Sequence, residues 1–164
     1  MSSQDAKDRH RRVRSYVRRP GRLTPAQARA LEELLPRYAL PRDCKDAASL
    51  FDGDRPLVVE VGCGNGQALA FMAANEPRFN FLGIEIHEPG VGRLLRSIEA
   101  AGLDNVRVAV RDAVEVFEQQ IPMASLEQVR IYFPDPWPKK RHHKRRLIQA
   151  PFLQLVADPL RPAG

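Results

Sequence analysis

The chain predicts a doubly wound α/β domain on a mostly parallel sheet, and three observations carry that expectation. Leu57-Val58-Val59-Glu60-Val61-Gly62-Cys63-Gly64-Asn65-Gly66 packs a buried strand, an acid and three glycines into ten positions. Apolar runs at 80–86, 105–110 and 128–133 read as three further strands. Segments of helical spacing separate them, so strand and helix alternate as in a parallel sheet joined by crossovers. At 164 residues the chain is long enough for one domain with a real core.

The elements follow in order. Residues 1–22 read as a flexible basic arm and 23–164 as the folded domain. Thr24-Pro25-Ala26-Gln27 combines an N-cap, a proline at the first helical position and a capping-box glutamine, opening a helix that Pro36 stops. Arg42 to Pro56, rich in Asp and Gly, links that helix to the first strand. Leu57, Val58, Val59 and Val61 form the near-continuous β-branched run of a strand covered on both faces. Gly62, Gly64 and Gly66 let the chain turn and let a ligand approach the backbone. From Gln67 a helix is expected with Ala68, Leu69, Phe71 and Met72 on one side, its free N–H groups facing the same crevice. Asn80 to Ile86 is the second strand, and Val91, Leu94, Leu95 and Ile98 mark a helix ended by Gly102. Asn105 to Val110 and Gln128 to Phe133 complete the set.

The glycine loop departs from the dinucleotide fingerprint, because Gln67 stands where the third glycine would be and Glu60 would face a pyrophosphate. An ammonium or sulfonium suits Glu60 better, which points to S-adenosylmethionine. A G-x-G-x-G loop alone also fits an ordinary tight turn between strand and helix. Two further acids strengthen the ligand reading. Glu85 lies 23 residues past Gly62, near the offset of a ribose-binding acid. Asp112 ends the third strand, at the rim where an adenine amino group would lie. Both positions also fit acids that merely cap the following helices.

Charge is uneven. The net charge is +6, and both residues 1–22 and the run Lys139 to Arg146 carry +6 each, so the remainder carries −6. Two basic segments on an acidic body resemble a polyanion footprint, although a charge run is also the ordinary look of a solvated face. Cys44 and Cys63 lack metal-ligand spacing, and Cys63 reads as a small filler. His142 and His143, adjacent within a cationic run, have no acidic or thiolate partner, so no metal is expected. No apolar run reaches membrane-spanning length and Met1 to Pro20 has no signal-peptide core, so the expected location is the cytoplasm, away from membranes.

In an open parallel sheet ligands bind outside the C-terminal strand ends, where strand order reverses, here between the first and fourth strands. Asp135, in the stiff segment Phe133-Pro134-Asp135-Pro136-Trp137-Pro138, is expected to face that crevice. Trp137 either stacks a nucleobase or plugs the gap beneath the loop, and the burial habits of tryptophan favour the plug.

With these residues in view, the chain resembles the tRNA (guanine-N7)-methyltransferase family, whose fold is a Rossmann-like S-adenosylmethionine domain. The resemblance runs from about Arg14 to Gly164, through Arg14-Ser15-Tyr16-Val17-Arg18-Arg19, the glycine loop, Gly83-Ile84-Glu85-Ile86-His87 and Arg111-Asp112-Ala113. Its most specific part is Phe133-Pro134-Asp135-Pro136-Trp137-Pro138-Lys139-Lys140-Arg141-His142. The resemblance implies that Glu60, Gly62, Gly64, Gly66, Glu85, Asp112 and Asp135 bind S-adenosylmethionine and that Asp135 is the catalytic position. It also implies that Lys139, Arg141, His142, His143, Lys144, Arg145 and Arg146 contact tRNA. The family continues beyond Leu160-Arg161-Pro162-Ala163-Gly164 into further strands and substrate-binding residues, so the chain reads as truncated after the fourth strand and its helix. Two alternatives stand beside the methyltransferase: a nucleotide-cofactor dehydrogenase, disfavoured by Gln67 and Glu60, and an RNA-binding module inactive through truncation. Oligomeric state is left open between monomer and weak homodimer.

Overall fold

The computed structural model describes residues 21–162 apart from Asp135. The basic arm expected over 1–22 therefore lies outside the described residues up to Pro20, as do Asp135 and the last two residues. Among the described residues ten helices and strands follow one another: α1 (Pro25–Glu33), α2 (Leu35–Tyr38), β1 (Leu57–Val61), α3 (Gln67–Asn75), β2 (Asn80–Ile84), α4 (Glu88–Ala100), β3 (Val106–Ala109), α5 (Ala113–Gln120), β4 (Leu126–Ile131) and α6 (Ala150–Ala157). Short 3-10 turns occupy Ala47–Leu50 and Lys140–Arg145.

The sheet order is β3-β2-β1-β4, and every pairing between these strands is parallel. Strand order reverses at β1, which lies between β2 and β4 as the sequence predicts. One apolar cluster, including Leu57, Val59 and Val61, packs toward α5 and α6, and the other, including Val58, packs toward α3 and α4. Alternation along β1 thus divides its side chains between two cores, which is why the strand is apolar almost throughout. The sheet is covered at the β3 edge, where the Leu40 N–H donates to the Val108 carbonyl at 2.8 Å. At β4, Leu160 forms a parallel bridge to Leu126.

Thr24 caps α1 as expected, with the reciprocal Gln27 capping box present. The helix ends at Glu33, however, and Pro36 sits in the first turn of α2 instead of stopping the chain, a position that tolerates its missing N–H. In α3 the expected apolar side is corrected: Leu69 and Ala73 face inward, whereas Ala68 and Phe71 are exposed. Nine residues so uniformly apolar define no face by themselves. Packing chooses one, because Leu69 fills the hollow left by Gly83, where a Cβ would lie 2.6 Å from its Cδ2.

The second and fourth strands end earlier than expected, at Ile84 and Ile131. Glu85 turns its carboxylate back onto the next N–H groups, those of Ile86 and His87, and so takes them away from the sheet. Phe133 adopts a φ of 48°, which no strand accommodates. Both departures fall at the C-terminal edge of the sheet.

Candidate active site

The site is built from strand ends. β1 delivers Gly62, β2 delivers Glu85, β3 is followed by Arg111 and Asp112, and β4 is followed by Tyr132, Phe133 and Pro134; all line one cleft of about 290 Å³. Its floor is apolar, from Val61, Ile84 and Ile131. A few polar groups converging over an apolar floor at a strand-order reversal is the usual form of a small-molecule site in such sheets.

Glu85 accepts from the Gly64 N–H at 2.7 Å through Oε2, and from Ile86 and His87 at 2.7 and 2.9 Å through Oε1. It is therefore latched to the glycine loop, and of its roughly four lone-pair sites one, on Oε2, is left for a ligand in the cleft. Asp112 does what the capping alternative expects: its Oδ1 accepts from the Val114 N–H at 2.9 Å at the start of α5. The same side chain lines the cleft. Capping and ligand contact are compatible, because a carboxylate has two oxygens.

The glycine loop is shaped by left-handed backbone at Gly62, Gly64 and Gly66, with φ of 73°, 57° and 71°. A Cβ at Gly62 or Gly64 would meet nothing within 4 Å, whereas one at Gly66 would strike Leu94 of α4. Two of the glycines thus border open space and the third seats the loop on the helix behind it. The first N–H of α3 is taken up by Asn65 Oδ1 at 3.2 Å, so that helix start is partly satisfied from within the loop. Cys63 is buried beneath the loop, and burial, followed by the Glu85 and Glu60 charges, pushes its thiol far up, which leaves it inert.

Glu60 lies apart from these acids and is not among the residues lining the cleft. It is 3% exposed, opposite Arg130 of β4 in the strand register. Its Oε2 has no hydrogen-bond partner. Desolvation pushes its carboxyl above the usual range, and the Arg130 charge offsets part of that. Arg130 is itself engaged elsewhere, donating to Gln128 Oε1 at 2.8 Å and to Met72 Sδ and lying 3.7 Å from Glu76.

On the other lip stands the cationic run. Pro134 and Leu147, which bracket it, both line the cleft, and Arg146 Nε donates to the Pro136 carbonyl at 2.9 Å. Lys139, Arg141, His143, Lys144 and Arg146 are exposed, and His142 and Arg145 are half-buried against Trp137. The Trp137 ring meets His142 edge-on at 5.6 Å between centroids, with the Arg145 guanidinium 5.3 Å from its centre. Trp137 is half-buried and serves as the post on which the basic turn is hung. Partial desolvation and then Arg141, Arg145 and Lys139 hold His142 below the usual histidine range.

Two participants have no role predicted from sequence. Arg111 is buried, donates through Nη2 to the Leu40 carbonyl at 2.8 Å and leaves Nη1 without a partner. It ties the segment before β1 to the cleft wall, and its place just before Asp112 is the only signal the sequence offers. Phe133 reads as a strand residue by composition, and only its backbone conformation sets it at the cleft mouth. Among the described residues no group of three or more His, Cys, Asp or Glu could hold a metal ion, and no helix is long and apolar enough to cross a membrane.

The family described as "Putative methyltransferase" matches residues 54–164. A tRNA (guanine-N7)-methyltransferase of Halorhodospira halophila is 52% identical over 157 residues, covering 94% of this chain and 68% of the relative. Those of Yersinia pseudotuberculosis and Xanthomonas campestris are 50% and 51% identical, and the chain spans 65% and 60% of their lengths. With half of its residues shared along almost its whole length, the chain belongs to the tRNA (guanine-N7)-methyltransferase family.

Proposed function

We propose that the protein transfers a methyl group from S-adenosylmethionine to guanine N7 in tRNA, and that it does so in the cytoplasm. The observation that carries this reading is the meeting of Gly62, Glu85 and Asp112 in one cleft whose opposite lip leads into the cationic run 139–146. The donor set fits the cofactor. Glu85 and Asp112 are acceptors for ribose hydroxyls and an adenine amino group, and open space beside Gly62 and Gly64 admits a ligand against the backbone. Glu60 is assigned as the counter-charge for an ammonium from behind the cleft wall, since its carboxylate is not among the groups that line the cleft.

When bound, the cofactor supplies an electrophilic methyl on a sulfonium. Guanine N7 has a lone pair and no proton, so the protein's task is alignment more than proton removal. Asp135 is assigned to orient the base, accepting from its N1–H and N2–H edge and balancing the positive charge that develops on the ring. Lys139, Arg141, Lys144, Arg145 and Arg146 hold phosphates, with His142 and His143 beside them. A-form RNA hides N7 in a deep, narrow groove, so the target is a loop base or one drawn from its stack. The test is transfer of a labelled methyl group to tRNA followed by nucleoside analysis. 7-Methylguanosine supports the proposal, and any other methylated nucleoside sinks it. Stabilisation by NAD instead of S-adenosylhomocysteine would favour a dehydrogenase.

A further inference from the structure

Phe133 is 98% exposed, although five of the six other phenylalanines are 9% exposed or less. Its backbone sits at φ 48°, where an L-residue's Cβ crowds the following carbonyl. Two separate costs, strain and an apolar ring in water, fall on one residue at the cleft mouth. Strain of this kind persists where the surrounding structure enforces it, and it concentrates at functional positions. Of the other two aromatics after β4, Trp137 already carries His142 and Arg145 against its ring, and Tyr132, which also lines the cleft, is 45% exposed, less than half as open as Phe133.

We infer that Phe133 is the platform on which the target nucleobase stacks beside the cofactor cleft, an assignment that rests on the RNA-methylating function proposed above. The ring lies between the two things a substrate base must reach at once. On one side the cleft holds Glu85 and Asp112, and on the other the chain runs from Pro134 into exposed cations. A lip bordered by lysine and arginine favours a polyanion over an apolar protein surface, and the part of a polyanionic RNA that wants an apolar flat face is its base. An aromatic face takes any base, so Phe133 positions the substrate and leaves the choice of guanine to polar groups.

The experiment uses the 164-residue chain with S-adenosylhomocysteine and a single-stranded RNA in which one guanine is replaced by 2-aminopurine, whose fluorescence falls on stacking. Wild type quenches the probe. F133L loses the quench and binds about ten-fold more weakly, while F133W keeps both. F133G relieves the backbone strain, so it stays folded with an unchanged or higher Tm and yet loses the quench. RNA binding without quenching by wild type, or the same quench in F133L, overturns the platform and leaves RNA binding intact. No RNA binding by wild type overturns both the platform and the function on which it rests.

Discussion

Glu85 Oε2 accepts from the Gly64 N–H at 2.7 Å, so the acid that follows β2 is fastened to the loop that follows β1. The bond joins two of the residues assigned to the cofactor and makes each depend on the other. A ligand that occupies the cleft meets a carboxylate already aimed by backbone donors, with little left to order on binding.

Glu85→Ala removes the ribose acceptor and the latch together. S-adenosylhomocysteine affinity falls by about 2 to 4 kcal/mol, and unfolding stability by about 1 to 3 kcal/mol, at the strength of hydrogen bonds to a charged group. Glu85→Gln, which keeps one acceptor oxygen, recovers part of both. Calorimetry showing unchanged affinity in Glu85→Ala takes this residue out of the site.

Glu60 predicts a pH effect with a definite sign. Its folded-state carboxyl is raised by desolvation, so its favourable contribution is complete below the usual carboxylate range and is lost as pH rises through the raised value. Glu60→Gln has no such loss. The Tm of the variant therefore gains on wild type as pH rises from acid toward neutral, while its affinity for the ammonium-bearing cofactor drops. Parallel Tm curves across that range would refute the assignment of a charged, buried Glu60.

Gly90 packs against the glycine loop so closely that a Cβ there would collide with the Gly64 carbonyl oxygen. Gly90→Ala should cost about 1 to 3 kcal/mol of stability, as overpacking does, and weaken S-adenosylhomocysteine as the loop shifts. Gly102→Ala is the control: at φ 60° with open space around it, strain costs about 1 kcal/mol and ligand affinity stays the same. Equal ligand affinity in the two variants contradicts the packing argument.

Replacing Arg141, Lys144 and Arg145 with Ala should flatten the salt dependence of tRNA binding by about 0.7 to 0.9 in log–log slope for each phosphate that is no longer neutralised. S-adenosylhomocysteine affinity should hold. An unaltered slope means that the run is a solvated face.

For Asp135, single-turnover methyl transfer separates orientation from proton removal. Asp135→Asn loses much of the rate, with a smaller loss of S-adenosylmethionine binding. A rate that follows one carboxylate titration with a solvent isotope effect would instead identify a general base.

The strand-helix alternation, the glycine loop at the end of β1 and the acids at 85 and 112 are legible without coordinates. Each rests on short-range physics: β-branched runs buried on both faces, glycine at left-handed φ, and an offset set by one strand-helix-strand unit. The Thr24 capping box is more local still, since its partners are three residues apart. What only the tertiary structure decided depends on partners distant in the chain. Periodicity gives α3 a wrong face because the hollow that receives Leu69 belongs to Gly83, on another strand. Nothing near Glu60 in sequence says that the charge acting on it is Arg130, or that Arg130 is held by Gln128, Met72 and Glu76. Phe133 reads as the last residue of a strand, by composition, and only the backbone turn at its own φ releases the ring to the cleft mouth. Residue types and spacing determine which chemistry is present, because they act within a few residues. Which groups meet, and which remain unpaired and therefore available, is decided when parallel crossovers bring strand ends from four parts of the chain to one edge.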